Sequence, residues 1–237
     1  MKEAVAKTSA NRNGGRTAKR ILIVDDHPVF REGLSSVLAR EGDLHVVGEA
    51  NHAREAWTAI ERLKPDLVLL DLSLPDKSGL ELVKDLRAVH PDLALLIISM
   101  HDETVFAERV LRAGANGYVM KEEGPQRILA AIRQVLNHQT YVSQRMSARI
   151  LNSLSDRGKA KKSPMSQLSD REFEIFQLLG KGHDSHDIAR MLNVSYKTVN
   201  AHRSNMKEKL KLGSGMELLC FAVRWVAAKP AEEMAGQ

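Results

Sequence analysis

The chain has 237 residues, 43% of them hydrophobic, and carries 35 lysines and arginines against 30 acidic residues, a net charge of +5. It is longer than one average domain and apolar enough to build two cores. Its longest apolar stretch, residues 93–100 broken by Ser99, is far shorter than the ~20 residues that span a bilayer, the basic N-terminus lacks a signal-peptide core, and a single cysteine, Cys220, excludes an internal disulfide framework and points to a reducing cytoplasm.

Residues 1–20 read as a disordered basic tail, with 6 basic residues against 1 acidic. From Ile21 onward, apolar runs of strand length alternate with segments of helical period, the pattern of a doubly wound five-stranded parallel sheet. Strands are expected over Ile21–Val24, His45–Glu49, Leu67–Leu70, Leu95–Ile98 and Gly117–Val119, with five helices between and after them. The domain should end near residue 142. Residues 143–166 read as an exposed linker, with a helix over Met146–Leu154 in its first half. Residues 167–228 then suggest a small all-α domain of four helices with legible starts: Ser169 with Glu172, and Ser214 with Glu217, as capping boxes, Leu168 with Phe173 as a staple, and Asp184 and Ser195 as N-caps. A short disordered tail, 229–237, closes the chain.

Charge divides the same way. Residues 21–142 hold 13 basic against 19 acidic residues, and residues 143–237 hold 16 against 10. The middle repels polyanions and the end attracts them, which suits nucleic acid but equally a solvated surface.

In an open parallel sheet, ligands bind at the carboxyl ends of the strands. Those ends here are Asp25-Asp26, Asp71, Ser99 and Met120-Lys121. Three carboxylates, a hydroxyl and an ammonium suit a hard divalent ion such as Mg²⁺, and a partly neutralised Asp71 is a candidate to accept a phosphoryl group in line as an acyl phosphate. His27 reads as a helix-start residue, because its neighbours are all oxygen donors. Pro75 and Gly79 fit a tight turn, with glycine tolerating a strained backbone.

The segments ILIVDDHP, LVLLDLSLPDKSGLEL, IIS and GYVMK resemble the receiver domain of response regulators. The resemblance implies that Asp71 is the phosphoacceptor and that Asp26 is the direct metal ligand, assisted by Asp25, Asp71 and the Ser73 carbonyl. It makes Ser99 the switch hydroxyl, Tyr118 the aromatic switch and Lys121 the phosphoryl-stabilising lysine. LSDREFEIFQLLGKG and DIARMLNVSYKTVNAHRSNMKEKL resemble the LuxR-type helix-turn-helix of NarL/FixJ regulators. Ile188, Ala189 and Leu192 face inward on a scaffold helix, and Asn193-Val194 make the turn. Val199, Met206 and Leu210 are the buried face of the next helix, which turns Lys197, Asn200, Ala201 and Ser204 outward toward a major groove.

Thr198, Arg203 and Lys207 complete the expected DNA-contacting set, with Lys209 and Lys211 as further phosphate candidates. His186 stands where the family often has lysine, and Asn200-Ala201 where it often has Lys-Val, so the target sequence stays open. His202 matches a family position but reads equally as a satisfied packing residue. The apolar face of the last helix reads as a dimer surface or as core, with Cys220 a small buried hydrophobe.

The resemblance implies a DNA-binding transcriptional regulator switched by a sensor histidine kinase, a homodimer when phosphorylated, on double-stranded DNA. Ser99 and Tyr118 would reorient toward the phosphoryl group. It implies no catalysis beyond the chain's own phosphorylation and dephosphorylation. A phosphatase of similar topology would need a second carboxylate two residues after Asp71, where Ser73 stands; a constitutive DNA binder would be indifferent to phosphorylation.

Overall fold

The computed structural model describes residues 18–155, 164–192 and 194–227. Strands β1 (Lys19–Val24), β2 (Leu44–Ala50), β3 (Leu67–Leu70), β4 (Ala94–Ser99) and β5 (Gly117–Met120) form one parallel sheet in the order β2-β1-β3-β4-β5. Helices α1 (Pro28–Leu38), α2 (Ala53–Leu63), α3 (Gly79–Val89), α4 (Glu103–Ala113) and α5 (Pro125–Leu136) connect and follow the strands. The period-2 alternation sorts the core. Ile21, Ile23, Leu67 and Leu69 pack with Leu34, Leu38, Ile128 and Ile132 of α1 and α5. Leu22, Val24, Val68 and Leu70 pack with residues of α2, α3 and α4, among them Ile60, Val83 and Val110. Both faces are covered, which is why the strands read as continuous apolar runs.

Strand order reverses between β1 and β3, so the crevice above their carboxyl ends is the expected binding position. The first strand begins at Lys19, two residues inside the expected tail. There the Arg20 backbone N–H donates to Asp66 (2.7 Å) and its guanidinium to the Leu63 carbonyl (2.6 Å). The rest of that tail, 1–17, lies outside the described residues, as does the closing tail.

Beyond α5 the chain runs back beside β5: the Tyr118 N–H donates to the Tyr141 carbonyl (2.8 Å) and the Tyr141 N–H to the Asn116 carbonyl (3.0 Å). A Cβ on Gly117 would stand 2.8 Å from that Tyr141 oxygen, so only glycine lets the strand approach so closely. The first half of the expected linker is helix α6 (Gln144–Ser155), which packs on α4 and buries Met146. The apolar Met146 draws it onto the domain rather than leaving it exposed. Residues 156–163 are not among those described.

Helices α7 (Asp170–Gly180), α8 (Ser185–Met191), α9 (Tyr196–Leu210) and α10 (Gly215–Ala227) form the second domain. The Ser169–Glu172 box closes reciprocally (2.7 and 3.3 Å). Asp184 accepts from the N–H groups of His186 and Asp187, and Ser195 from that of Thr198. At α10, Ser214 accepts from the Glu217 N–H, but the Glu217 carboxylate reaches the N–H of Gly213 rather than that of Ser214.

The expected turn residue Asn193 lies outside the described residues. Cys220 is exposed rather than buried, and with Met216 and Val223 it leaves part of α10 apolar and open. Among the described residues no helix is long and apolar enough to cross a membrane.

Candidate functional site

β1 delivers Asp25 and Asp26, β3 delivers Asp71, β4 ends on Ser99, and Lys121 follows β5. The strand register aligns them: Val24 pairs with Leu70, and Ser99 with Met120. Asp25, Asp71 and Ser99 are almost wholly buried. Lys121 Nζ sits between the carboxylates, 2.7 Å from Asp25 and 2.8 Å from Asp71. Burial would discharge this lysine, but Asp71 and Asp25 hold its ammonium above the usual range. Burial likewise pushes the Asp71 carboxyl up; Lys121 pulls it down and Asp25 adds to the rise.

Asp25, Asp26, His27 and Asp71 each offer a donor atom within 4.8 Å of the others. Asp26 Oδ1 is buried without a hydrogen-bond partner, although His27 Nδ1 lies 2.8 Å away. An orphaned carboxylate oxygen inside a cluster of carboxylates is the arrangement a hard cation completes. His27 is the N-cap residue of α1, as expected, but its ring also belongs to the cluster.

Ser73 backbone N–H bonds to the Asp71 carboxyl, and its Oγ is hydrogen-bonded to His101 Nε2 (2.9 Å). Tyr118 is fully buried, its hydroxyl donating to the His101 carbonyl (2.7 Å), and burial pushes its phenol up. The residue expected as the aromatic switch therefore lies inside the domain. Gly79 is indispensable for a different reason from the expected one. Its backbone is unstrained, but a Cβ would lie 2.4 Å from the Asp71 carbonyl oxygen and 2.6 Å from the Leu72 Cα.

Three neighbours carry no mark in the motifs above. Phe30 lies under the Lys121 ammonium, 4.7 Å from ring centroid to Nζ. Arg31 donates to the Asp25 carbonyl. His101 presents its ring, N–H and carbonyl to Ser73, Ser99 and Tyr118 respectively, and burial, with Lys181 and Lys121 nearby, pulls its imidazole down to about 4. Phe30 and Arg31 stand one turn into the helix that Asp26-His27 opens, which was the available signal; His101, two residues past Ser99, is legible as a neighbour able to influence water access at Asp71, but nothing local marks it as a bridge.

On α9, Val199 and Met206 are buried, while Lys197, Ala201 and Ser204 are exposed and Asn200 is half-exposed. Thr198 Oγ1 lies 2.8 Å from the capping hydroxyl of Ser195. Lys207 is half-buried. Arg203 is hydrogen-bonded to the Ser185 hydroxyl on α8, which leaves its charge unbalanced, whereas Lys209 is ion-paired with Glu172 at 2.7 Å. The His186 ring stacks on Tyr196, with centroids 4.2 Å apart. His202 is half-buried with Nδ1 lacking a partner, and so is not a satisfied packing residue.

Residues 21–133 match the family described as response regulator receiver domain, and residues 166–222 the bacterial regulatory proteins of the luxR family. The oxygen regulatory protein NreC of Staphylococcus epidermidis is 36% identical over 211 residues, 86% of this chain and 97% of that protein. Its namesake from Staphylococcus aureus is 38% identical over 210 residues, with the same coverage. A crystal structure of a LuxR-family two-component response regulator from Aurantimonas sp. SI85-9A1 covers 59% of this chain and 100% of that one, at 34% identity and TM-score 0.55. RcsB from Salmonella enterica serovar Typhimurium, solved on a promoter with the phosphomimetic BeF3−, covers 87% and 98%, at 25% identity and TM-score 0.58. With the acidic crevice at the strand ends and a helix-turn-helix behind it, the chain belongs to the response regulators that join a receiver to a LuxR-type DNA-binding domain, transcriptional regulators of two-component systems.

Proposed function

We propose that Asp71 accepts a phosphoryl group from a phosphohistidine of a sensor histidine kinase in the cytoplasm, and that the phosphorylated chain pairs as a homodimer on double-stranded DNA. The observation that carries this reading is the convergence of Asp25, Asp26, Asp71, Ser99 and Lys121 in one crevice, with Asp26 Oδ1 left orphaned inside it.

An Asp71 carboxylate oxygen attacks phosphorus in line, the O–P bond forms, and the P–N bond to the donor imidazole breaks with its electron pair leaving on nitrogen. Lys121 balances the charge that arrives, and the Ser99 hydroxyl, at the end of the neighbouring strand, is placed to donate to a phosphoryl oxygen. Mg²⁺ held by Asp25, Asp26, Asp71 and the Ser73 carbonyl would neutralise the crowded carboxylates and orient the transferred oxygens. Val29 and Met100, both well exposed beside the Phe30 and Lys121 side chains, flank an apolar hollow of about 640 Å³ that suits docking of the kinase surface that carries the phosphohistidine.

On DNA, Lys197 and Lys207 meet phosphates and Asn200, Ala201 and Ser204 meet base edges. Thr198 and Arg203 hold the helix N-terminus and the scaffold helix to it. The exposed Met216, Cys220 and Val223 of α10 are the apolar surface on which two heads join.

Acetyl phosphate with Mg²⁺ should add one phosphoryl group per chain by intact-protein mass spectrometry, and chelation or Asp71→Asn should abolish it. Labelling of the Asp71→Asn protein at the wild-type rate and stoichiometry would sink the assignment. Affinity for promoter DNA should rise with BeF3− at fixed salt; equal affinity would favour a constitutive binder.

A further inference from the structure

On one side of the receiver, α4 meets the second domain, with the Phe106 and Phe173 rings 5.4 Å apart. The first turn of α1 stands beside Asp25 and Asp26, and there Arg31 makes two contacts outside its own helix. Its Nη1 donates to the Asp25 carbonyl oxygen (2.6 Å) and its Nε to the carboxylate of Glu49, near the end of β2 (2.8 Å). The sequence fixes where this side chain starts from. Pro28 opens the helix, and the Arg31 N–H bonds the His27 carbonyl (3.1 Å), so Arg31 belongs to a closed first turn. Its side chain is 17% exposed.

The carbonyl that Arg31 holds belongs to the peptide between Asp25 and Asp26. The Asp25 side chain is already tied, to Lys121 Nζ at 2.7 Å and to the His27 N–H at 2.8 Å. Asp26 is not tied in this way, since its Oδ1 accepts no hydrogen bond. The direction of the Asp26 carboxylate is therefore set by the main chain from which it hangs.

We propose that Arg31 is a positioning residue for cation binding: by bracing the Asp25-Asp26 peptide against Glu49, it aims the Asp26 carboxylate into the crevice. The inference rests on Asp26 being a cation ligand.

Two effects of Arg31 oppose one another. Its charge repels an incoming dication, and its hydrogen bond places a ligand for that dication. Glu49 decides between them. A carboxylate 2.8 Å from the guanidinium leaves a dipole, whose field falls off faster than that of a lone charge. Placement has no such attenuation, because Mg²⁺ demands near-ideal octahedral geometry with ligands at about 2.0–2.1 Å. Placement wins, and loss of Arg31 weakens the site. Lysine cannot substitute: it keeps the charge, but a single ammonium lacks the rigid fork that meets a carbonyl and a carboxylate at once.

The test titrates Mg²⁺ into the unphosphorylated full chain by isothermal calorimetry, with thermal unfolding of the metal-free protein as a check that each variant is folded. Arg31→Ala should weaken Mg²⁺ binding about tenfold, the lower end for residues that orient a metal ligand. Arg31→Lys should weaken it in the same direction, and carries the test if the alanine protein does not fold. In phosphorylation by acetyl phosphate, the change should fall on the Mg²⁺ concentration for half-maximal rate more than on the limiting rate.

A folded Arg31→Ala protein that binds Mg²⁺ as tightly as the parent, or more tightly, would overturn the proposal and leave Arg31 acting through charge alone. So would parent affinity in Arg31→Lys. Failure of the underlying reading is separately visible, as Mg²⁺ affinity that does not change in Asp26→Asn.

Discussion

Gly79 shows how one missing methyl group sets the shape of the crevice. Its N–H donates to the Leu72 carbonyl (2.8 Å), and the backbone of Asp71 and Leu72 occupies the space where a Cβ would stand. Backbone cannot swing aside as a long side chain can, so Gly79→Ala should cost about 1–3 kcal/mol in urea denaturation, and the displaced loop should slow phosphorylation by acetyl phosphate. An alanine variant of unchanged stability would mean that the loop has slack. The importance of this residue was legible from its position in the turn, but the reason was not, because close approach of two backbones leaves no mark in local sequence. His101 is the same case in sharper form. The carboxylates announce themselves by standing at strand ends, whereas a ring that bridges two loops is defined only by what lies across from it.

Among the elements, α7 depends on a cap that does two jobs. Ser169 and Glu172 close the helix start reciprocally, and Glu172 also receives Lys209 from α9. Ser169→Ala should lower stability by about 1 kcal/mol in urea denaturation. Burial alone would raise the Glu172 carboxyl, but Lys209 and Ser169 hold it below the usual carboxylate range. A depressed folded pKa contributes stability that is present above the unfolded value and is lost as pH falls through the folded one. Unfolding followed between neutral pH and the acid range should therefore show Glu172→Gln losing less stability on acidification than the parent. A parallel acid limb in both proteins would refute that role.

Element boundaries were readable to within two residues in the sheet, since apolar alternation is local information. Helix α6 was anticipated over most of its length, but its attachment to α4 was not, because only the burial of Met146 distinguishes a docked helix from a free one. The apolar face of α10 was visible as a choice between core and contact surface, and exposure of Met216, Cys220 and Val223 favours the second.

Across the whole molecule the charge division, acidic receiver and basic head, was plain in the sequence, but which lysines are available to DNA was not. Lys209 is spent on Glu172, whereas Lys197 stands exposed at the start of α9. Removing one cation that neutralises a phosphate should flatten the salt dependence of binding by roughly one unit of the log–log slope. Lys197→Ala is therefore expected to reduce that slope by about one, and Lys209→Ala to leave it unchanged while lowering stability, read by fluorescence anisotropy across a salt series. The reverse pattern would show that the ion pair opens on DNA. The meeting of the two domains was equally hidden. Phe106 and Phe173 each satisfy the apolar pattern of their own helix, and nothing in either pattern says that they face one another.

The return of the chain along β5 affects the molecule in company as well as alone. A sheet's outermost strand exposes a ladder of unpaired N–H and C=O groups that invites another copy to add a strand. On this side the first rung is occupied from within, by Tyr141 bonded to Asn116 and Tyr118, at a distance that only Gly117 permits. The segment that leaves for the DNA-binding domain thus serves as a selvedge, finishing the border of the sheet so that copies of the chain are left to meet by surfaces chosen for regulation and not by their edges.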